Sequence, residues 1–356
     1  MLYFIDGFDH YVAADLPKKG WVELNYGGTI AISPTEGRRG RGALKLTHNI
    51  SAFARVGHPM NNLATAVVGF AIKSGELHPV SNNGWCSWGF RDVADFQVFF
   101  RFDMGNGVIY AYRGHSSTPV LLGQTAPGVF NPAIWTYVET KVTFDNSTGV
   151  VNLRVNGLEV LDLIDQDTQN TAHAYADSLV LSNQTSLGWL SQVGVGSTWF
   201  DDVYIADTTG DAPTNDFLGD CRVDVLYPNG EGVTQQWTPS TGVTHYTLVD
   251  ESVPNVTDYV EDSITGHQEL FDFANLTTVT GNIYGVQLNL TAMKDDSGSR
   301  LINPLCRSGG VTYDSANQAL STYYTDIQKL WTEDPATDAP WTESGVNGAQ
   351  FGAETA

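Results

Sequence analysis

Hydrophobic and polar positions alternate along most of this chain, most clearly between Trp135 and Thr168. From Tyr137 to Phe144, the side chains of Val138, Thr140, Val142 and Phe144 fall on one side of an extended backbone, because successive strand residues point to opposite faces. Asn146-Ser147-Thr148-Gly149 supplies a turn, Val150 to Val155 runs out, Asn156-Gly157 turns again, and Leu158 to Leu163 runs back. A two-residue Asn-Gly loop accepts positive φ at both positions and is the strongest short-range hairpin signal. The pattern predicts a three-stranded antiparallel meander rich in β-branched and aromatic residues.

Short runs of the same kind flank it. Leu2 to Ile5, Trp21 to Leu24, Thr29 to Ile32, Ala43 to Thr47, Ala52 to Val56 and Ala66 to Ile72 precede it. So do Cys86 to Phe90, Asp95 to Arg101, Gly107 to Tyr112 and Val120 to Leu122. Ser178 to Ser182, Gly188 to Val195 and Trp199 to Asp207 follow. Many short strands without a convincing helix predict a two-sheet antiparallel sandwich over residues 1–207. Residues 208–216 are small and polar, with Gly210 and Pro213, and read as a linker. Residues 217–356 read as a second β-sandwich, with strands in Gly281 to Thr291, Ser299 to Cys306 and Leu320 to Trp331. In the last of these, Thr322, Tyr323, Tyr324 and Thr325 disfavour a helix.

Composition supports an all-β reading: 36 glycines, 11% aromatic and only 16% charged residues among 356. Net charge is −22, and it is uneven. Residues 1–210 carry 13 Lys and Arg against 19 Asp and Glu, and residues 211–356 carry 5 against 21. Such a surface repels nucleic acid and anionic membranes, so neither is an expected partner. No apolar run approaches the ~20 residues of a membrane span, and the opening MLYFIDGFDHY lacks the basic start of a signal peptide. Cys86, Cys221 and Cys306 are widely spaced without CxxC, so they are expected to be free thiols and not zinc ligands.

FIDGFDHY, RGRGALKLT, IWTYVETKVTFDNSTGVVNLRVNG and WFDDVYIAD resemble the concanavalin A-like lectin/glucanase jelly roll. Further on, GDCRVDVLYPNGEG, YTLVDESVPNVTDYVEDS, VQLNLTAMKDDSGSR, RSGGVTYD and EDPATDAPWTESGVNGAQFG resemble the C-terminal region of tailed-bacteriophage virion proteins with such a front half. This resemblance implies a structural protein of a phage particle (tail tip, fibre or head surface), located in the virion. It also implies other virion proteins as partners, a homo-oligomer, and contact with a host-surface glycan. A lectin or adhesin, or a glycan depolymerase, are the competing readings.

A glucanase of this fold would resemble enzymes with a Glu-x-Asp-x-x-Glu strand, whose carboxylates flank the scissile bond. That run is missing here. Glu139 is followed on its face by Lys141 and Thr143, and Asp162, Asp165 and Asp167 read as turn acids. Asp201 and Asp202 are adjacent, so they point to opposite faces; Asp202 with Asp6 or Asp9 would suit Ca²⁺, though a hydrogen-bond network is the simpler expectation. Asp295-Asp296-Ser297-Gly298 reads as a hairpin turn. Gly-x-Ser-x-Gly and HExxH are both absent. The expectation is therefore no enzyme, no metal and no cofactor. Trp85, Trp88 and Arg91, with Asn82 and Asn83 beside them, are the candidate glycan-binding residues, and Tyr110, Tyr112 and Arg113 could extend that surface.

Overall fold

A computed structural model describes the chain apart from residues 25–26, 49–52, 76–84, 94, 104, 116–117, 184–195 and 278, and of Trp85 and Cys86 it describes only the backbone. The chain divides into two compact units, Met1–Val223 and Asp224–Ala356. The division falls after residues 208–216, the stretch expected to be the linker. Residues 217–223 pack onto the first unit, as shown below.

The first unit contains β1 (Leu2–Asp6), β2 (Val22–Glu23), β3 (Thr29–Ser33), β4 (Ala43–His48), β5 (Arg55–Leu63), β6 (Thr65–Ser74), β7 (Trp85–Asp92) and β8 (Asp95–Asp103). It continues with β9 (Ile109–Arg113), β10 (Val120–Gln124), β11 (Thr136–Thr143), β12 (Gly149–Val155), β13 (Leu158–Gln166), β14 (Ala176–Ser182) and β15 (Gly196–Asp207). These form two antiparallel sheets. One runs β13-β12-β11-β6-β15-β4-β3, with β1 also on β15; the other runs β10-β9-β8-β7-β14-β5-β2. The predicted meander is β11-β12-β13, and Asn156 and Gly157 both take positive φ, 49° and 79°, in its tight turn. The core lies between the sheets, where Phe70, Trp88, Phe90, Phe100, Phe102 and Phe200 interdigitate. Gly69 on β6 has a structural reason: a Cβ there would stand 2.1 Å from Cε1 of Tyr204, whose ring lies across it.

The second unit contains β16 (Pro228–Gln235), β17 (Thr238–Pro239), β18 (Val260–Glu261), β19 (Gln268–Phe273) and β20 (Val286–Ala292). It ends with β21 (Leu301–Ser308), β22 (Val311–Asp314), β23 (Gln318–Ala319), β24 (Thr325–Trp331) and β25 (Gln350–Thr355). A sheet ordered β16-β19-β25-β21-β22, with β23 on β21, is faced by the two-stranded ribbon β20-β24. Leu288 of the ribbon packs against Cys306 and Phe351 of the sheet, and Ile327 packs against Ile302 and Ala353. Of the expected strand Leu320 to Trp331, Thr325–Trp331 is extended as β24, and Thr322, Tyr323 and Tyr324 precede it outside any strand or helix. A five-residue helix, Glu343–Asn347, is capped by Thr342, whose side chain accepts from the Gly345 amide. Cys221 and Cys306 are free, and burial pushes both thiols up to about 12.

Candidate functional site

The outer face of the β10-β9-β8-β7-β14-β5-β2 sheet carries an unusual set of residues. Alternation on β8 sends Val98, Phe100 and Phe102 into the core and turns Phe99 and Arg101 outward. On β9, Ile109 and Ala111 are core, and Tyr110 and Tyr112 face out. Strand register then lines the outward residues into two rows. One row is Arg55, Ser182, Ser87, Arg101, Tyr110 and Gln124. The other is Gly57, Val180, Gly89, Phe99, Tyr112 and Leu121. Neighbouring strands lie about 4.8 Å apart, so each row runs roughly 24 Å across the sheet.

The rows are covered at one end and open at the other. Val180, Phe99, Arg55 and Arg101 are buried, Tyr110 and Tyr112 are half-buried, and Leu121 and Gln124 are exposed. Phe99 and Tyr112 stack with centroids 5.3 Å apart, and Tyr110 and Tyr112 stack at 6.1 Å. The Arg101 guanidinium sits over both Phe99 and Tyr112, 5.5 and 5.7 Å from their centroids. Burial pushes Arg101 down to about 10 and raises the Tyr112 phenol. Gly89 makes room for this packing, since a Cβ there would meet the Phe99 Cβ at 2.6 Å.

The sequence-selected residues fare unequally. Arg91 lies on this outer face, half-buried, its guanidinium 5.9 Å from the Phe96 ring. Trp88 must be corrected: it is 1% exposed, stacks on Phe100 at 5.0 Å and donates its indole N–H to Thr140 Oγ1 at 3.0 Å. It is a core residue, because β7 alternates and Trp88 shares its phase with Phe90. The Trp85 side chain, like Asn82 and Asn83, lies outside the described residues. Arg113 faces away from Tyr110 and Tyr112, pairing with Asp167 and donating to the Gln169 carbonyl at 3.2 Å. Arg101 and Phe99 were missed, although an arginine at an outward position of the apolar strand DFQVFFR is a readable signal.

The acids serve structure. Asp6 accepts from the Phe8 amide (2.9 Å), the Tyr11 hydroxyl (2.6 Å) and the Trp21 indole (2.8 Å). Asp201 accepts from the Arg38 amide and Asp202 from the Val223 amide, at 2.7 and 2.8 Å. Arg38 also pairs with Asp202 and Asp220 and donates to the Cys221 carbonyl. Burial raises both Asp201 and Asp202. Glu139 is fully buried. Its Oε1 accepts from the Tyr204 hydroxyl and the Gly219 amide, both at 2.7 Å, and burial raises its pKa. Together these groups hold residues 217–223 against the β11-β6-β15 face. Asp296 caps the Gly298 amide and pairs with Arg300, as a turn acid does. In the second unit, His245 Nδ1 lies 2.7 Å from Glu269 Oε1, and its amide donates to Glu231 Oε1.

No protein-family model and no curated protein matches the sequence. Solved structures do. An alginate lyase matches with TM-score 0.40 and 13% identity, covering 57% of this chain and 95% of its own. A carbohydrate esterase from the Shiga toxin-encoding bacteriophage phi24B matches with TM-score 0.36 and 14% identity, covering 57% and 98%. The carbohydrate recognition domain of Emp46p matches with TM-score 0.38 and 8% identity, covering 56% and 94%. The chain's own sheet order makes its first unit an all-β antiparallel sandwich, the class to which the expected jelly roll belongs. At such identities the likeness concerns fold alone. It also corrects one expectation. Glycan-active enzymes stand among these neighbours, so lacking one strand motif does not make this chain a non-enzyme.

Proposed function

We propose that the chain is a structural component of a tailed-phage particle that engages host-surface glycan through the outer face of its β10-β9-β8-β7-β14-β5-β2 sheet. The observation that carries the glycan half is the stacked, half-buried Tyr110–Tyr112 pair beside the exposed Leu121 and Gln124 at the open end of the face. Aromatic faces offer apolar contact to sugar rings, and the flanking Ser87, Tyr110 and Gln124 offer hydroxyl and amide groups to their oxygens. The phage half is supported by the virion-protein phrases spread through residues 217–352. On a particle, copies of one weak site act together, so modest affinity per copy suffices.

Two measurements test the two halves. Purified particles of the host phage should contain the chain in a fixed copy number by quantitative mass spectrometry; its absence from particles defeats the virion assignment. Binding of the full chain to a glycan panel should fall at least tenfold in Tyr112→Ala, the loss of about one aromatic contact. Unchanged binding in that variant defeats the choice of face.

A further inference from the structure

We propose that the chain pairs with a second copy of itself along the free edge of β10, antiparallel and about a two-fold axis, so that two copies of the β10-β9-β8-β7-β14-β5-β2 sheet join into one. The proposal does not depend on the glycan reading. β10 is the last strand of its sheet, and among the described residues no further strand or loop hydrogen-bonds to its outer side. An exposed edge of this kind is a ready template for another chain. Its side chains add apolar contact: Val120 and Leu121 are 48% and 50% exposed.

Charge decides which chain that is. Between Arg113 and Glu139 the sequence holds no Lys, Arg, Asp or Glu, the longest such stretch in a protein of net charge −22. Two copies of so acidic a chain repel across most of their surface, and they repel least where this stretch meets its own copy. β13, the end strand of the other sheet, shows the contrast. It exposes Leu158 and Ile164 but also carries Glu159, Asp162 and Asp165, so self-pairing there would set like charges against each other. A two-fold pairing of β10 centred on Leu122 sets Leu121 opposite Gly123 of the second copy, and Val120 opposite Gln124. The pairing is short, because Pro119 has no amide to donate and β10 is bulged between Leu121 and Gly123. A micromolar dimer is expected, not an obligate one. It would carry the Tyr110–Tyr112 pairs of both copies on one continuous sheet, their strands three spacings or about 14 Å apart.

Sedimentation equilibrium of the full chain from about 1 to about 100 µM should show reversible monomer–dimer exchange. Leu121→Lys places like charges near the two-fold axis and should weaken the dimer about tenfold or more. The residue is exposed, so urea melts of this variant should match the parent. Leu158→Lys, on β13, should leave the dimer unchanged. Hydrogen exchange at the β10 amides should slow as the chain is concentrated. A chain that stays monomeric over the whole range overturns the proposal. A dimer that survives Leu121→Lys, that leaves β10 exchange unchanged, or that is lost in Leu158→Lys alone overturns the choice of edge. Glycan binding by a chain that stays monomeric would leave the proposed glycan face standing, so the two readings fail separately.

Discussion

Replacing Glu139 with glutamine probes the buried clasp through pH. Glu139 is fully buried, and its Oε1 already takes hydrogen bonds from Tyr204 and Gly219; its Oε2 has no partner among the described residues. Glutamine keeps the Oε1 acceptor and never ionises. Burial raises the folded pKa of Glu139 above the ordinary 4.5. Below that value both folded and unfolded chains hold the proton, and stability does not depend on it. Above it the unfolded chain ionises first while the folded chain still holds its proton, so stability falls as pH rises towards the folded pKa. One such proton contributes a slope of up to about 1.4 kcal/mol per pH unit across that window. Asp201 and Asp202 are raised in the same direction and add slopes of the same sign. Urea denaturation of the parent and of Glu139→Gln, from about pH 4 to about pH 8, should show the variant gaining on the parent as pH rises. A stability difference that is flat across that range would refute the argument, because Glu139 would then titrate as it does in the unfolded chain.

Three further outcomes follow from the packing. Gly69→Ala places a Cβ 2.1 Å from Tyr204 and should cost about 1–3 kcal/mol in urea melts by displacing the ring that donates to Glu139. Trp88→Ala empties a core position and should cost about 3–5 kcal/mol, read as a lower thermal midpoint. Arg38→Met leaves Asp202 and Asp220 without their guanidinium; a loss of about 3 kcal/mol and faster limited proteolysis within residues 208–223 are expected. Unchanged cleavage there would show that Arg38 does not hold that segment.

Local periodicity carried most of the first unit. The Asn156-Gly157 turn and the three strands of the meander lie where alternation placed them, because both rest on contacts between near neighbours. The candidate site was harder. Trp88 shares the inward phase of Phe90 on β7, and taking it as a surface residue overlooked the period of two. Asn183, which opens an Asn-x-Thr triplet, is buried, accepting from the Ala54 amide and donating to the Leu46 carbonyl. Residues 208–216 read as a linker and 217–223 as the start of the second domain, because the donors that anchor this stretch to the first unit are backbone amides of Leu218, Gly219 and Val223, which have no signature in sequence. Glu139 was set aside for want of a carboxylate on its own strand, when its partner is Tyr204, 65 residues away.

The two outer faces of the first unit's sandwich carry different charges. On the β11-β6-β15 face, Glu139, Asp201 and Asp202 are buried under residues 217–223, where they receive backbone amides and the Arg38 guanidinium. Through those bonds the acids hold one stretch of chain against another. On the other sheet, the outward rows hold arginines among tyrosine and phenylalanine rings, and Leu121 and Gln124 leave one end open. A buried guanidinium over rings contributes less to folding than an aliphatic residue of the same volume would, since its charge must be desolvated. The part of this face that solvent reaches is therefore its other end, where Tyr110 and Tyr112 are half-buried beside Leu121 and Gln124, and it is there that the Tyr112→Ala comparison bears on function.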